Sequence, residues 1–336
     1  MRFAFVLNPA ARSGRAARVA PALREAARAA GVEAEIVRTE RPGHGAELAR
    51  AAAAAGADAL VAVGGDGTAQ EVASGVHRAR GEGHGAAFGV VPVGTGNDLA
   101  AALGMPTAPA AAVAALAAAA RGGARPLDLG RVRWQNATGP VHERLFANCV
   151  GVGFDGMAAG EVLRYKRLGG RAAYLAAVAR SLRLWRRREI EAEIRTLDLP
   201  AAGAAPEAPF GLAGAGEALY RGPYFLCEVG NGHSIGGGFY LTPEARPDDG
   251  ALDLCLVRPL SLRRIARVLP LAMRAAHTAE PEVTMGRAGR IAVHAHRGGL
   301  PVHADGEPLA SAARTVDAEV LPGAIRALYG PGSDRR

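Results

Sequence analysis

At 336 residues the chain is long enough for one large domain or, better, two, and a hydrophobic share of 49% allows a sizeable core. Net charge is +8, carried almost wholly by arginine with Lys166 the single lysine, a balance that suits phosphorylated ligands or anionic surfaces. Three scattered cysteines, Cys149, Cys227 and Cys255, exclude a disulfide frame or zinc site and fit a reducing compartment.

In chain order, Phe3–Leu7 reads as a strand ending at Asn8-Pro9, too short for a signal-peptide core. Ala16–Ala30 is an alanine/arginine helix, Val32–Val37 a strand, and a loop through Thr39 and His44 leads to a helix over Ala46–Ala55. Ala59–Val63 is a buried strand followed by the glycine loop Gly64-Gly65-Asp66-Gly67-Thr68 and a helix from Ala69 to Arg80. Phe88–Val91 repeats the pattern, with Gly94-Thr95-Gly96-Asn97-Asp98 before a helix over Leu99–Leu103. The β-α-β-α rhythm implies a parallel sheet with helices on its faces, and ligands of such sheets sit beyond the strand carboxyl ends, where both loops fall. The alanine run Ala108–Ala120 is short of the roughly 20 residues of a spanning helix, so the protein is expected to be cytoplasmic.

After Arg125-Pro126 the pattern becomes one of short strands: Leu129–Trp134, Leu145–Val150, Tyr224–Val229, Leu252–Val257 and Ile291–His294. Turn residues between them predict a mostly antiparallel second domain. Leu197–Gly222, rich in Ala, Pro and Gly, reads as a long loop or insertion. Two segments, Arg171–Arg188 and Ser261–Ala275, carry apolar residues at helical spacing against arginines. Such helices either pack on a core with a solvated arginine face or lie on an anionic membrane.

The glycine loops let backbone N–H groups reach phosphate oxygens. No lysine stands near either, which rules out a P-loop; neither loop has the third glycine of a dinucleotide fingerprint. Asp66 is the only charge in the first loop, and beside phosphate it calls for an intervening cation such as Mg²⁺. Thr68 and Thr95 offer hydroxyl groups, while Asn97 and Asp98 read equally as helix caps and as ligands. Asp248-Asp249-Gly250 and Asp305-Gly306-Glu307 read as turns.

The two loops together resemble the diacylglycerol kinase catalytic-domain family. The resemblance extends through Asn8-Pro9 with Ser13-Gly14, Thr39 with Gly43-His44, and Asn148 to Gly153-Phe154-Asp155. It continues through Val229-Gly230-Asn231-Gly232, Gly236-Gly237-Gly238, Asp248 to Asp253, and Asp305-Gly306-Glu307-Pro308. His233 and His303 depart from the residues frequent in that family.

The resemblance implies an N-terminal α/β domain over residues 1–126, a β-sandwich domain over 127–312, and a terminal segment, 313–336, that returns to the first. It implies an ATP- and Mg²⁺-dependent lipid kinase acting on diacylglycerol or a related lipid at an anionic membrane surface. Asn8, Thr39, Gly64, Gly65, Asp66, Gly67, Thr68, Gly94, Thr95 and Asn97 would bind the nucleotide. Asp249, with carbonyls of Arg246 and Ala251, would hold Mg²⁺, Glu307 would be the general base, and Asp305 would stand beside it. Exposed strand edges make a homodimer an open expectation, and no nucleic-acid platform is present. Two alternatives stay open: a kinase of a soluble acceptor such as NAD, and a nucleotide-binding regulator without transfer activity.

Overall fold

Apolar runs alternating with alanine-rich segments build the N-terminal part of the chain as strands and helices in strict succession. The structure, a computed structural model, describes residues 1–12, 14–162, 164–165, 170–185, 190–198 and 217–333. Ser13, Lys166, Arg186, Arg187, Arg188 and the interior of the Ala/Pro/Gly-rich stretch lie outside the described residues. The chain forms two units, Met1–Leu129 with Pro322–Arg336, and Gly130–Leu321.

In the first unit the elements are β1 (Arg2–Leu7), α1 (Ala20–Ala29), β2 (Glu33–Arg38), α2 (His44–Ala54) and β3 (Ala59–Gly64). They continue with α3 (Asp66–Gly81), β4 (Ala87–Pro92), α4 (Asp98–Ala102) and α5 (Pro109–Gly122). The strands pair in parallel in the order β2-β1-β3-β4. Every residue of β3 and β4 is buried, as expected of inner strands covered by helices on both faces. The helix expected over Ala16–Ala30 is divided: a 3₁₀ turn over Arg15–Val19 precedes α1, whose first turn holds Pro21, a residue that lacks the N–H an interior position would need. The helix expected from Ala69 begins instead at Asp66, with Gly65 extended at its cap, so Asp66, Gly67 and Thr68 form its first turn.

The second unit contains β5 (Arg125–Asn136), β6 (Val141–Phe146), β7 (Cys149–Gly153), α6 (Phe154–Val162), α7 (Gly170–Trp185), β8 (Glu191–Leu197) and β9 (Glu217–Pro223). It continues with β10 (Leu226–Gly230), β11 (Leu252–Val257), α8 (Leu262–Ala272), β12 (Val283–Ala288), β13 (Arg290–Arg297), β14 (Leu300–Ala304) and β15 (Glu307–Ala327), the last running on into the first unit. Neighbouring strands run β12-β11-β10-β7-β14-β15-β13-β8-β9, with antiparallel pairing throughout, as in a β-sandwich.

β11 shows how the layers arise. Leu252, Leu254 and Leu256 enter the core between strands, whereas Cys255 and Val257 face the helices, packing with Phe154, Ala158, Val178 and Ile265. Both ends of the stretch expected as a loop are strands, β8 and β9, paired with each other. Leu145–Val150, expected as one strand, is two: β6 and β7 break at Ala147-Asn148. All three cysteines are buried free thiols. Among the described residues no helix is long and apolar enough to cross a membrane.

Candidate functional site

The residues singled out in the first unit collect at the carboxyl ends of its parallel strands. Asn8 follows β1 and donates its backbone N–H to Val63; Thr39 follows β2 and donates to Leu7. Asn8 Nδ2 also donates to the Thr68 hydroxyl, 3.0 Å away, joining the first strand end to the first turn of α3.

The two glycine loops touch backbone to backbone. A Cβ on Gly94 would overlap the Gly65 Cα and stand 2.8 Å from Asn97 Oδ1. Asp66 ties the loops together: its Oδ2 accepts the Asn97 N–H at 2.8 Å and its Oδ1 the Leu99 N–H at 3.1 Å. Asn97, left-handed at φ 59°, closes the second loop by accepting the Gly94 N–H at 2.9 Å. Thr95 at its tip is exposed. This is a glycine-walled concavity at helix N-termini, a shape suited to anionic phosphate. Asp66 thus has a cross-loop role that the sequence did not suggest.

In the second unit Asp305-Gly306 is the two-residue turn between β14 and β15, with φ 48° and 78°, the primed geometry that Asp-Gly favours. The Asp305 carboxylate points inward and accepts three backbone N–H groups: Ala147 at 2.8 Å, Asn148 at 2.9 Å and Cys149 at 2.9 Å. Those bonds cap the gap between β6 and β7 and explain the break in that strand. Burial pushes the Asp305 carboxyl above its ordinary range, against the downward pull of the same bonds.

Glu307, the next residue past the turn, is exposed and pairs with Arg144 Nη2 at 2.6 Å. Asp249 Oδ1 accepts the Ala251 N–H at 3.2 Å, and its Oδ2 pairs with Arg287 at 2.6 Å. Arg246 stands 3.6 Å from Asp248.

A third group was missed by the sequence reading as a unit. Asp155, Glu228 and His303 are all buried, with one donor atom of each within 4.8 Å of the others. His303 Nδ1 accepts the Gly306 N–H at 3.2 Å, which assigns the ring proton to Nε2, 3.3 Å from Asp155 Oδ2. A Cβ on Gly151 would overlap both side chains, so glycine there opens their contact.

Burial and the neighbouring Asp155 charge raise Glu228 far above the carboxylate range. For Asp155, burial is outweighed by the adjoining Glu228 carboxyl and the His303 ring, which hold it below that range. Glu228 is therefore the protonated member of the pair and Asp155 the ionised one, although neither carboxyl oxygen of Glu228 has a hydrogen-bond partner among the described residues. The available signal was Glu228 itself, a lone charge in the otherwise apolar strand β10.

Beside the hairpin lies a cavity of about 490 Å³ whose walls include Met157, Leu184, Pro301, Pro308 and Ala310. Glu161 on its wall is held by Arg164 at 3.3 Å and Arg180 at 2.7 Å. Pro308 of β15, one residue after Glu307, lines this cavity, whose walls also carry Arg164 and Ser311.

Residues 2–132 match the diacylglycerol kinase catalytic domain, and residues 148–329 match the YegS C-terminal NAD kinase beta sandwich-like domain. The chain is 33% identical over 309 residues to a probable lipid kinase YegS-like protein of Pseudomonas aeruginosa PAO1, covering 92% of this chain and 88% of that one. It is 30% identical over 263 residues to a diacylglycerol kinase of Mycobacterium tuberculosis H37Rv, covering 77% and 74%. In fold it is similar to the crystal structure of a diacylglycerol kinase from Bacillus anthracis str. Sterne, with a TM-score of 0.65 at 19% identity and coverage of 98% and 97%.

Proposed function

The chain belongs to the diacylglycerol kinase catalytic-domain family, and from that premise we propose that it transfers the terminal phosphate of ATP to a hydroxyl of diacylglycerol or a related lipid at a membrane surface. The observation that carries this reading is Glu307, an exposed carboxylate held by Arg144 on the strand whose next residue, Pro308, lines a cavity. A lipid chain in that cavity brings its hydroxyl toward Glu307, which accepts the proton as the oxygen attacks phosphorus. The bond from phosphorus to the bridging oxygen breaks, and ADP leaves with that electron pair.

Asn8, Thr39, Gly65 to Thr68 and Gly94 to Asn97 hold the nucleotide phosphates through backbone N–H and hydroxyl groups. Asp66 is the carboxylate beside those loops that a hydrated cation would bridge to phosphate. Asp249 with the carbonyls of Arg246 and Ala251 is an all-oxygen donor set that fits Mg²⁺, although Arg287 competes for Asp249. Mg²⁺ bound with the nucleotide neutralises phosphate charge. Asp305 is a positioning residue: its carboxylate is spent on backbone N–H groups and sets the turn that presents Glu307.

The test is incubation with γ-labelled ATP and a total lipid extract, followed by identification of the labelled species. Glu307→Ala is expected to lower transfer by about 100-fold or more, with an unchanged unfolding midpoint. Undiminished transfer removes Glu307 from the role of base. Label found only in water-soluble products overturns the lipid acceptor.

A further inference from the structure

The helix α8 is amphipathic twice over. Its inner side is ordinary: Ile265, Val268 and Ala272 are buried, and Ile265 packs with Phe154 and Ala158 of α6 and Val178 of α7. Arg264, on the inner flank, is neutralised by Glu280 at 2.6 Å and by Glu282.

The outer side has its own division. Leu262 is 42% exposed and Met273, at the helix end, 41%. With Ala266 and Pro270, also exposed, they fall within an arc of about 80° at about 100° per residue. Arg263, Arg267 and Arg274 line the adjoining edge. Arg267 reaches Glu280 only at 3.9 Å, and Arg263 and Arg274 make no ion pair among the described residues.

An apolar ridge flanked by exposed arginines, two of them without an ion pair among the described residues, matches the boundary between acyl chains and anionic headgroups. A second copy of the chain is a poor occupant, because a two-fold contact through this face would set one arginine edge against another. We propose that the outer face of α8 is the docking surface for an anionic lipid bilayer, with Leu262 and Met273 entering the interface and Arg263, Arg267 and Arg274 meeting lipid phosphates. The inference rests on the lipid-kinase reading and gives it an orientation. α8 shares its core cluster with α6 and α7, which wall the cavity beside Glu307, so docking α8 brings that helical layer to the membrane.

The experiment is sedimentation of the full chain with phosphatidylcholine vesicles, with and without phosphatidylglycerol, across a salt series. Wild type is expected to partition onto the anionic vesicles and to be released by salt. Arg263→Gln with Arg274→Gln is expected to weaken partitioning about 30-fold, from two charges at about 1 kcal/mol each. Leu262→Ser with Met273→Ser is expected to weaken it at every salt concentration. Both pairs should retain the wild-type urea midpoint and the wild-type rate of transfer to a detergent-dispersed acceptor.

Wild-type indifference to anionic vesicles, or undiminished binding by both double variants, overturns the proposal. So does a change of the variants from dimer to monomer with vesicle binding intact. Vesicle binding needs no ATP and no turnover. A protein that binds through α8 yet phosphorylates no lipid therefore sinks the kinase reading and leaves the docking surface standing.

Discussion

An alanine at position 305 would strand three backbone N–H groups at once. The Asp305 carboxylate accepts from Ala147, Asn148 and Cys149 at 2.8–2.9 Å, and each such bond to a charged acceptor is worth about 1.5–3 kcal/mol. The sum overstates the loss, because burial disfavours the ionised carboxyl and offsets part of the gain. Alanine at φ 48° adds about 1 kcal/mol of backbone strain. We expect Asp305→Ala to cost about 4 kcal/mol, a large share of a domain's stability of about 5–15 kcal/mol.

Asp305→Asn is the informative companion. Asparagine tolerates the left-handed conformation and keeps Oδ1, which serves Asn148 and Cys149, but turns an amide donor toward the Ala147 N–H. A cost of about 2 kcal/mol follows from losing one bond and opposing two donors. Urea unfolding measures both values, and a transfer assay under native conditions measures kcat and the KM for ATP. Because Asp305 acts through the turn, kcat should fall in the same order as stability while the KM for ATP stays put. A midpoint for Asp305→Ala indistinguishable from wild type would refute the capping argument. An Asp305→Asn protein of wild-type stability without activity would instead place Asp305 in the chemistry itself.

Two further outcomes are expected. Glu228 holds a proton in the folded state that the unfolded chain releases near its ordinary 4.5, so its contribution is complete below that value and is lost as pH rises, by up to about 1.4 kcal/mol per pH unit. Glu228→Gln stays neutral, so its stability relative to wild type should climb as pH rises above the ordinary 4.5; a flat difference in urea midpoints contradicts a proton held on Glu228. Gly94→Ala pushes a methyl group into the Gly65 backbone and spreads the two loops, at about 1–3 kcal/mol. A fluorescent ATP analogue should then bind at least about tenfold more weakly, and unchanged affinity would show that the loops do not hold phosphate.

What was legible in the sequence was local. β3 and β4 are continuous apolar runs ended by glycine loops, and Asp305-Gly306 is a turn written in two residues. Alternating pattern alone misplaced what depends on distant partners. The segment read as one strand over Leu145–Val150 breaks because a carboxylate some 156 to 158 residues away caps its N–H groups. Arg144 gave no sign of its role, since Glu307 lies 163 residues on. The strands β8 and β9 escaped notice because arginine, alanine and glutamate dilute their period-two pattern, which their pairing supplies instead.

The buried cluster shows how such distant contacts join into one device. Asp155, with protonated Glu228 close by, receives the Nε2 proton of His303, and Nδ1 of His303 accepts the N–H of Gly306. Gly306 lies between Asp305, which caps β7, and Glu307, which faces Arg144. A chain of polar contacts thus runs from Asp155 in the first turn of α6 to the turn that presents the candidate base. The donor and acceptor order along it is fixed by the Gly306 N–H, which leaves Nε2 of His303 as the donor. The turn's geometry is therefore tied to Asp155, 148 positions before His303 in the chain. His303, where the related pattern often carries glutamine, is the link through which that tie is made.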